Sequence, residues 1–152
     1  TDHALDARLQ VDIPLCVGLG NISFTDTLSI EEDLDLAANG TLVFFIENHF
    51  PFSTTLDVDM VNENGDVLHH VLQSIGIPAA LPGTNPAQTE SIPVTIEANI
   101  SQALLDDFVT THSLVFHATI STGPNAEIAK LYQGQSILFS VKAMGETEIN
   151  VD

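Results

Sequence analysis

The sequence predicts an all-β protein: an antiparallel β-sandwich with one short helix near residues 100–111. Three observations carry this. Apolar residues recur with a period of two along most of the chain, as in half-buried strands. Turn-forming residues break the runs at short intervals, among them Gly18 and Gly20, Asn39-Gly40, Asn64-Gly65 and Gly123-Pro124. Hydrophobic residues make up 44% of a 152-residue chain, a size and composition suited to one domain with one core.

Candidate strands cover 8–19, 23–30, 41–48, 55–61, 67–72, 89–97, 113–122, 136–143 and 146–151. Residues 1–7 read as a tether or strand and 8–152 as a single sandwich domain. Cys16 is the sole cysteine, so no internal disulfide forms; in a strand-like run it reads as a small buried hydrophobe. Leu15, just before it, is too large for a lipid-attachment site. In the hairpin LDVDMVNENGDVLHHVL, Leu56, Val58 and Met60 point inward and Asp57 and Asp59 toward water. Asn64-Gly65 suits the positive-φ pair of a tight turn. A two-residue and a four-residue loop give different registers, and a one-residue slip exchanges the faces.

One segment departs from the β pattern. Ile100, Leu104, Leu105, Phe108 and Val109 share one face at helical spacing. Asn99 is the expected N-cap, with Gln102 as its capping-box partner, and His112 falls where a cation suits the helix C-terminus. The stretch 75–91 holds Pro78, Pro82 and Pro86 and reads as a long exposed connection.

Charge excludes several functions. Twenty-one Asp and Glu stand against three basic residues, Arg8, Lys130 and Lys142, for a formal net charge of −18. Nucleic acid is excluded as a direct partner and anionic membranes are disfavoured. Three scattered cations build no clamp for a phosphoryl or carboxylate substrate. A chain of this mass has a surface of roughly 7,500 Å², about one net charge per 400 Å², so salt or divalent cations would suit it. There is no run of eighteen apolar residues to span a membrane. The N-terminal TDHALDARLQ lacks the apolar stretch of a signal peptide, leaving a cytosolic chain or a trimmed piece of a longer one.

Three features in order carry a resemblance. A strand ends in Asn48-His49-Phe50-Pro51-Phe52; the NENGDVL hairpin follows; then come Ile77-Pro78-Ala79-Ala80, TESIPVTIEANIS, a short helix and a strand. This resembles the late-embryogenesis-abundant type 2, or water-stress/hypersensitive-response, domain, with His49 in place of the first proline of that family's bend. Together with Val11-Asp12-Ile13-Pro14-Leu15 and Phe24-Thr25-Asp26-Thr27, the order also resembles the C-terminal β-sandwich of Bacteroidetes-type surface lipoproteins. The resemblance spans residues 9–151. The resemblance implies an immunoglobulin-like antiparallel β-sandwich of seven to nine strands with one short helix, at the cell surface or in the periplasm, and brings no catalytic residues.

Candidate chemistry is sparse. Calcium is the one cofactor with candidate ligands. Asp59, Asn62, Asn64 and Asp66 are oxygen-rich, but Met60 occupies the first ligand position of an EF-type loop and no Glu follows at the twelfth. Glu31, Glu32, Asp33 and Asp35 form a second acidic run, read as a solvated loop. The six histidines lack metal-binding spacing, and His69 and His70, adjacent on a strand, point to opposite faces. Asp59 is expected across the hairpin from His69 or His70 as a surface pair. No nucleophile elbow or Cys–His signature is present, and the absence of Trp, with Tyr132 the only Tyr, leaves few sugar platforms. Phe44, Phe45, Phe50 and Phe52 read as core. Asn21, Asn39 and Asn99 begin N-x-S/T triplets that could carry glycans in a secreted chain. The sequence therefore points to a non-enzymatic cell-surface or extracellular binding and assembly module, with protein partners or copies of itself. The alternative is a stress-protection protein whose acidic surface is stabilised by salt or calcium.

Overall fold

The period-two runs become two packed sheets. The computed structural model describes residues 3–10, 21–30, 40–85, 88–121, 132 and 134–144. Strands β1 (His3–Gln10), β3 (Thr41–Asn48), β8 (Val94–Asn99) and β10 (Ser136–Met144) form sheet A in the order β1-β10-β3-β8. Strands β2 (Asn21–Ser29), β4 (Thr54–Val61), β5 (Val67–Ile77) and β9 (Ser113–Ser121) form sheet B in the order β2-β9-β4-β5. The two-residue strands β6 (Leu81–Pro82) and β7 (Thr89–Glu90) pair with each other, and α1 (Gln102–Phe108) lies between β8 and β9. All pairings are antiparallel. The expected all-β sandwich with one short helix is present.

Its connectivity corrects the immunoglobulin-like expectation. Apart from the β4–β5 hairpin, each connection between sandwich strands crosses from one sheet to the other, giving the eight-strand jelly-roll order. An immunoglobulin sandwich keeps more neighbouring strands within one sheet. Alternation marks which residues face inward but is blind to which strands pair, so both topologies share one sequence pattern.

The core sits where alternation puts it. Leu42, Phe44 and Ile46 of β3 face Leu56, Val58 and Met60 of β4, with Leu114, Phe116, Ala118 and Ile120 of β9 and Ile137, Phe139 and Val141 of β10. The rings of Phe116 and Phe139 stack across the two sheets with centroids 5.3 Å apart. Of the four clustered phenylalanines, Phe44 and Phe50 are buried and Phe52 packs against the core, whereas Phe45 lies on the outer face of sheet A, 44% exposed.

Three local expectations change. The hairpin loop is neither two nor four residues long: Val61 pairs with Val67, and Asn62 to Asp66 form the loop. Only Gly65 has positive φ, at 84°. The loop is shaped by Asn62, whose Oδ1 accepts from the N–H groups of Asn64 and Asp66, both at 2.9 Å. The helix cap is Ser101, whose side chain accepts from the N–H of Leu104, because Asn99 ends β8. Ile100 and Leu104 are buried as expected, but Val109 is the C-cap and is 85% exposed. His112 serves through its backbone, bonding Val61 and Ile30. The 75–91 stretch is less open than expected: β5 runs on to Ile77, Ala80 is buried, and the Ala80 N–H donates to the Phe50 carbonyl at 2.9 Å. Cys16, Asn39, Gly123-Pro124 and the 146–151 strand lie outside the described residues.

Candidate functional site

The end of β3 is the most fully bonded polar position among the described residues. Asn48 is fully buried. Its amide nitrogen donates to the carbonyls of Phe52 at 2.8 Å and Pro78 at 2.9 Å and reaches the Thr54 hydroxyl at 3.4 Å. Its oxygen accepts from the Phe50 N–H at 2.9 Å. Because Asn48 closes sheet A and Thr54 opens β4 of sheet B, this side chain joins the two sheets at one end and swings Phe50 inward, parallel to the Phe24 ring at 6.2 Å. The resemblance motif at 48–52 is thus a structural bend.

The outer face of sheet B carries a row of polar groups. Asp59, expected in water, is 9% exposed because it sits between two imidazoles. His70 Nδ1 lies 2.6 Å from Asp59 Oδ1, and His117 Nε2 lies 3.7 Å from Oδ2. The Thr25 hydroxyl lies 3.2 Å from His117 Nδ1. The row therefore crosses all four strands of sheet B. His70, rather than His69, is the cross-hairpin partner. His69 pairs with the inward-facing Met60 and so lies on the other face, where its Nδ1 is 3.1 Å from Asp107 of α1. His117 was not legible as a partner, since β9 follows β4 by more than fifty residues and nothing local marks the pairing.

Hydroxyl, imidazole and carboxylate here follow the order of a nucleophile relay. However, 3.7 Å between His117 and Asp59 is too long for a hydrogen bond, and Thr25 is exposed on an open sheet. The two imidazoles approach different oxygens of Asp59, so the trio shares no common ion position. Among the described residues, no three His, Cys, Asp or Glu are placed to hold a metal.

The calcium candidates separate. Asp59 belongs to the histidine row, Asn62 is committed to its loop, and the Asp66 carboxylate accepts from Asn62 Nδ2 at 3.1 Å; Asn64 is exposed beside them. Glu31, Glu32, Asp33 and Asp35 lie outside the described residues. A double-mutant cycle checks the row: Asp59→Ala and His70→Ala should couple by about 1 kcal/mol in urea unfolding, a charge-assisted bond discounted for the exposure of His70. Additive effects would show that the two groups merely adjoin.

The sheet edges differ in how they are protected. β5 carries three register irregularities against β4, and Ser74 within it has φ 51°, held by an N–H bond to Asp57 at 2.7 Å. β8 is six residues long, follows Pro93 and exposes Glu97. The sequence of β1 includes Asp6 and Arg8. Bulges, brevity, proline and charge are the usual guards against edge pairing. β2 pairs with β9 over nine residues with no irregularity and exposes Ser23, Thr25, Thr27 and Ser29, none of them charged.

No family model and no curated protein matches the chain. Among solved structures, a protein of Parabacteroides distasonis described as a candidate secreted protein aligns over 83% of this chain, with a TM-score of 0.52 and 12% identity. The chain spans 38% of that protein's length. At this identity the likeness extends to the fold alone. A structure of the Gx strain of infectious bursal disease virus aligns over 99% of this chain and 33% of its own, at 12% identity and a TM-score of 0.46, too distant to inform function. No described helix is long and apolar enough to cross a membrane.

Proposed function

We propose that this chain is a non-enzymatic binding and assembly module that works outside the cytoplasm, at a cell surface or in the periplasm. The observation that carries this reading is the division of labour among its polar groups. Asn48, the most enclosed of them, joins the two sheets, while the regular β2 edge and the outer faces remain as places where another polypeptide can add. The likeness in fold to a candidate secreted protein supports the compartment. The lipoprotein resemblance of the sequence points the same way. Crosslinking on intact source cells tests the reading. Discrete higher-mass species containing this chain are expected, labelled by a reagent that does not cross membranes. A monomer band at every crosslinker dose, or labelling only after lysis, would sink it.

The net charge of −18 favours a second reading, an acidic stress-protection protein stabilised by salt or calcium. The two part in a melting experiment. A melting temperature unmoved by NaCl or CaCl₂ would remove the second reading; a gradual climb, equal in the two salts at matched ionic strength, is simple screening of the −18 charge and is compatible with either. A sharp gain at millimolar calcium alone would mark a specific ion site and favour the second reading.

A further inference from the structure

We propose that β2 is a self-pairing edge: two copies of this chain join β2 to β2 across a two-fold axis, turning two four-stranded B sheets into one of eight strands. This deepens the assembly reading and rests on it. The argument begins with charge. Two bodies of net charge −18 repel wherever carboxylates meet, so they can approach most closely along a strip that has none on its surface. Ser23, Thr25, Thr27 and Ser29 form such a strip along an edge of sheet B. Among the described residues β2 has no neighbour on its outer side, and each other edge of the two sheets carries a guard: the irregularities of β5, the shortness, proline and Glu97 of β8, the charged residues in the sequence of β1. The nine-residue ladder of β2 has no bulge, proline or shortness, and its single charge, Asp26, lies off the exposed Ser/Thr row, so this regular edge is the least guarded template for another strand.

The register is self-complementary. Thr25 is the central residue of β2. With the axis through it, Thr25 faces its own copy, Ser23 faces Thr27, Ile22 faces Leu28, and the full strand overlaps. Hydroxyl-to-hydroxyl and apolar-to-apolar neighbours are favourable cross-strand pairs, and the same patch on both subunits makes an isologous contact. Asp26 is the one acidic residue of β2. It lies on the other side of the strand from the Ser/Thr row, its Oδ1 accepts from the Thr27 N–H at 2.8 Å, and in this register it faces Phe24 of the second copy. The two Asp26 groups are diagonal neighbours, so pairing should strengthen as salt is added.

Sedimentation of the purified full chain, from micromolar to about millimolar concentration, tests this at low salt and at about 0.5 M NaCl, where screening reaches only a few ångström. The average mass is expected to rise toward twice the monomer mass with concentration, more so at high salt. Thr25→Asp sets two carboxylates face to face and should hold the chain at monomer mass. Thr25→Lys should do the same alone, and an equimolar mixture of the two should regain the dimer. Gln73→Asp, on the guarded β5 edge, should leave dimerisation unchanged. Melting curves show whether each variant folds; should the Thr25 variants fail to, Thr27→Asp reads the same edge. Wild-type chain at monomer mass throughout, or dimers indifferent to Thr25 and Thr27 charge, would overturn the β2 contact. Crosslinks to other proteins on intact cells would survive that result, so the two ideas fail separately.

Discussion

Replacing Asn48 with leucine is expected to lower the stability of the fold by about 3–5 kcal/mol, although the two side chains are similar in size. The reason lies in what the substitution leaves behind. The Phe52 and Pro78 carbonyls and the Phe50 N–H all lose their partner beside a side chain with no exposure to water. Each such group costs about 1–3 kcal/mol when orphaned, with partial relief as the bend relaxes. Asn48→Asp should be as damaging, because a carboxylate would face two carbonyl oxygens that need donors. Urea unfolding measures both, and thermal melting should drop by about 10 °C or more for a chain of this length. A loss below about 1 kcal/mol for the leucine variant would mean that the bend holds without these bonds.

The second large effect belongs to Phe116. Its ring is 1% exposed and stacks on Phe139 of the opposite sheet, so it fills the space between the layers at the centre of the core. Phe116→Ala should cost about 3–5 kcal/mol, combining lost transfer energy with a cavity that two hydrogen-bonded sheets cannot close. Phe116→Leu keeps most of the volume and should cost less than half as much. Equal losses for both would point to the ring stacking rather than the volume as the source of stability. Neither substitution should move the unfolding slope in urea if the denatured state is unchanged.

The sequence was informative wherever one face of a strand meets the core. The inward set of Leu56, Val58 and Met60, the limits of β3 and the apolar anchor of α1 at Ile100 and Leu104 are all visible in local periodicity. What escaped depends on distant partners. Sheet connectivity is invisible to alternation. The period of two breaks after residue 72, where one of the irregularities of β5 falls, yet the strand continues to Ile77. The helix cap shifted from Asn99 to Ser101 because pairing with Thr41 claims Asn99 for β8, and a tertiary ladder outranks a local cap. For the candidate site, the hairpin points to His69 or His70 as the partner of Asp59 and the register selects His70, while His117 and Thr25 come from strands that no local signal ties to it. Asn48 begins the 48–52 motif, but a polar residue at a strand end gives no sign that it will be entirely enclosed.

Sheet A sets a timetable. It lays His3 beside Ala143 and makes β10 the bridge between β1 and β3. During synthesis β1 therefore emerges well before the strand that must receive it, and it waits without a neighbour until β10 has left the ribosome. Contacts this remote along the chain make for slow folding. A nascent chain stalled ahead of residue 136 should present incomplete sheets to holding chaperones, and release of β10 should be the event that frees it.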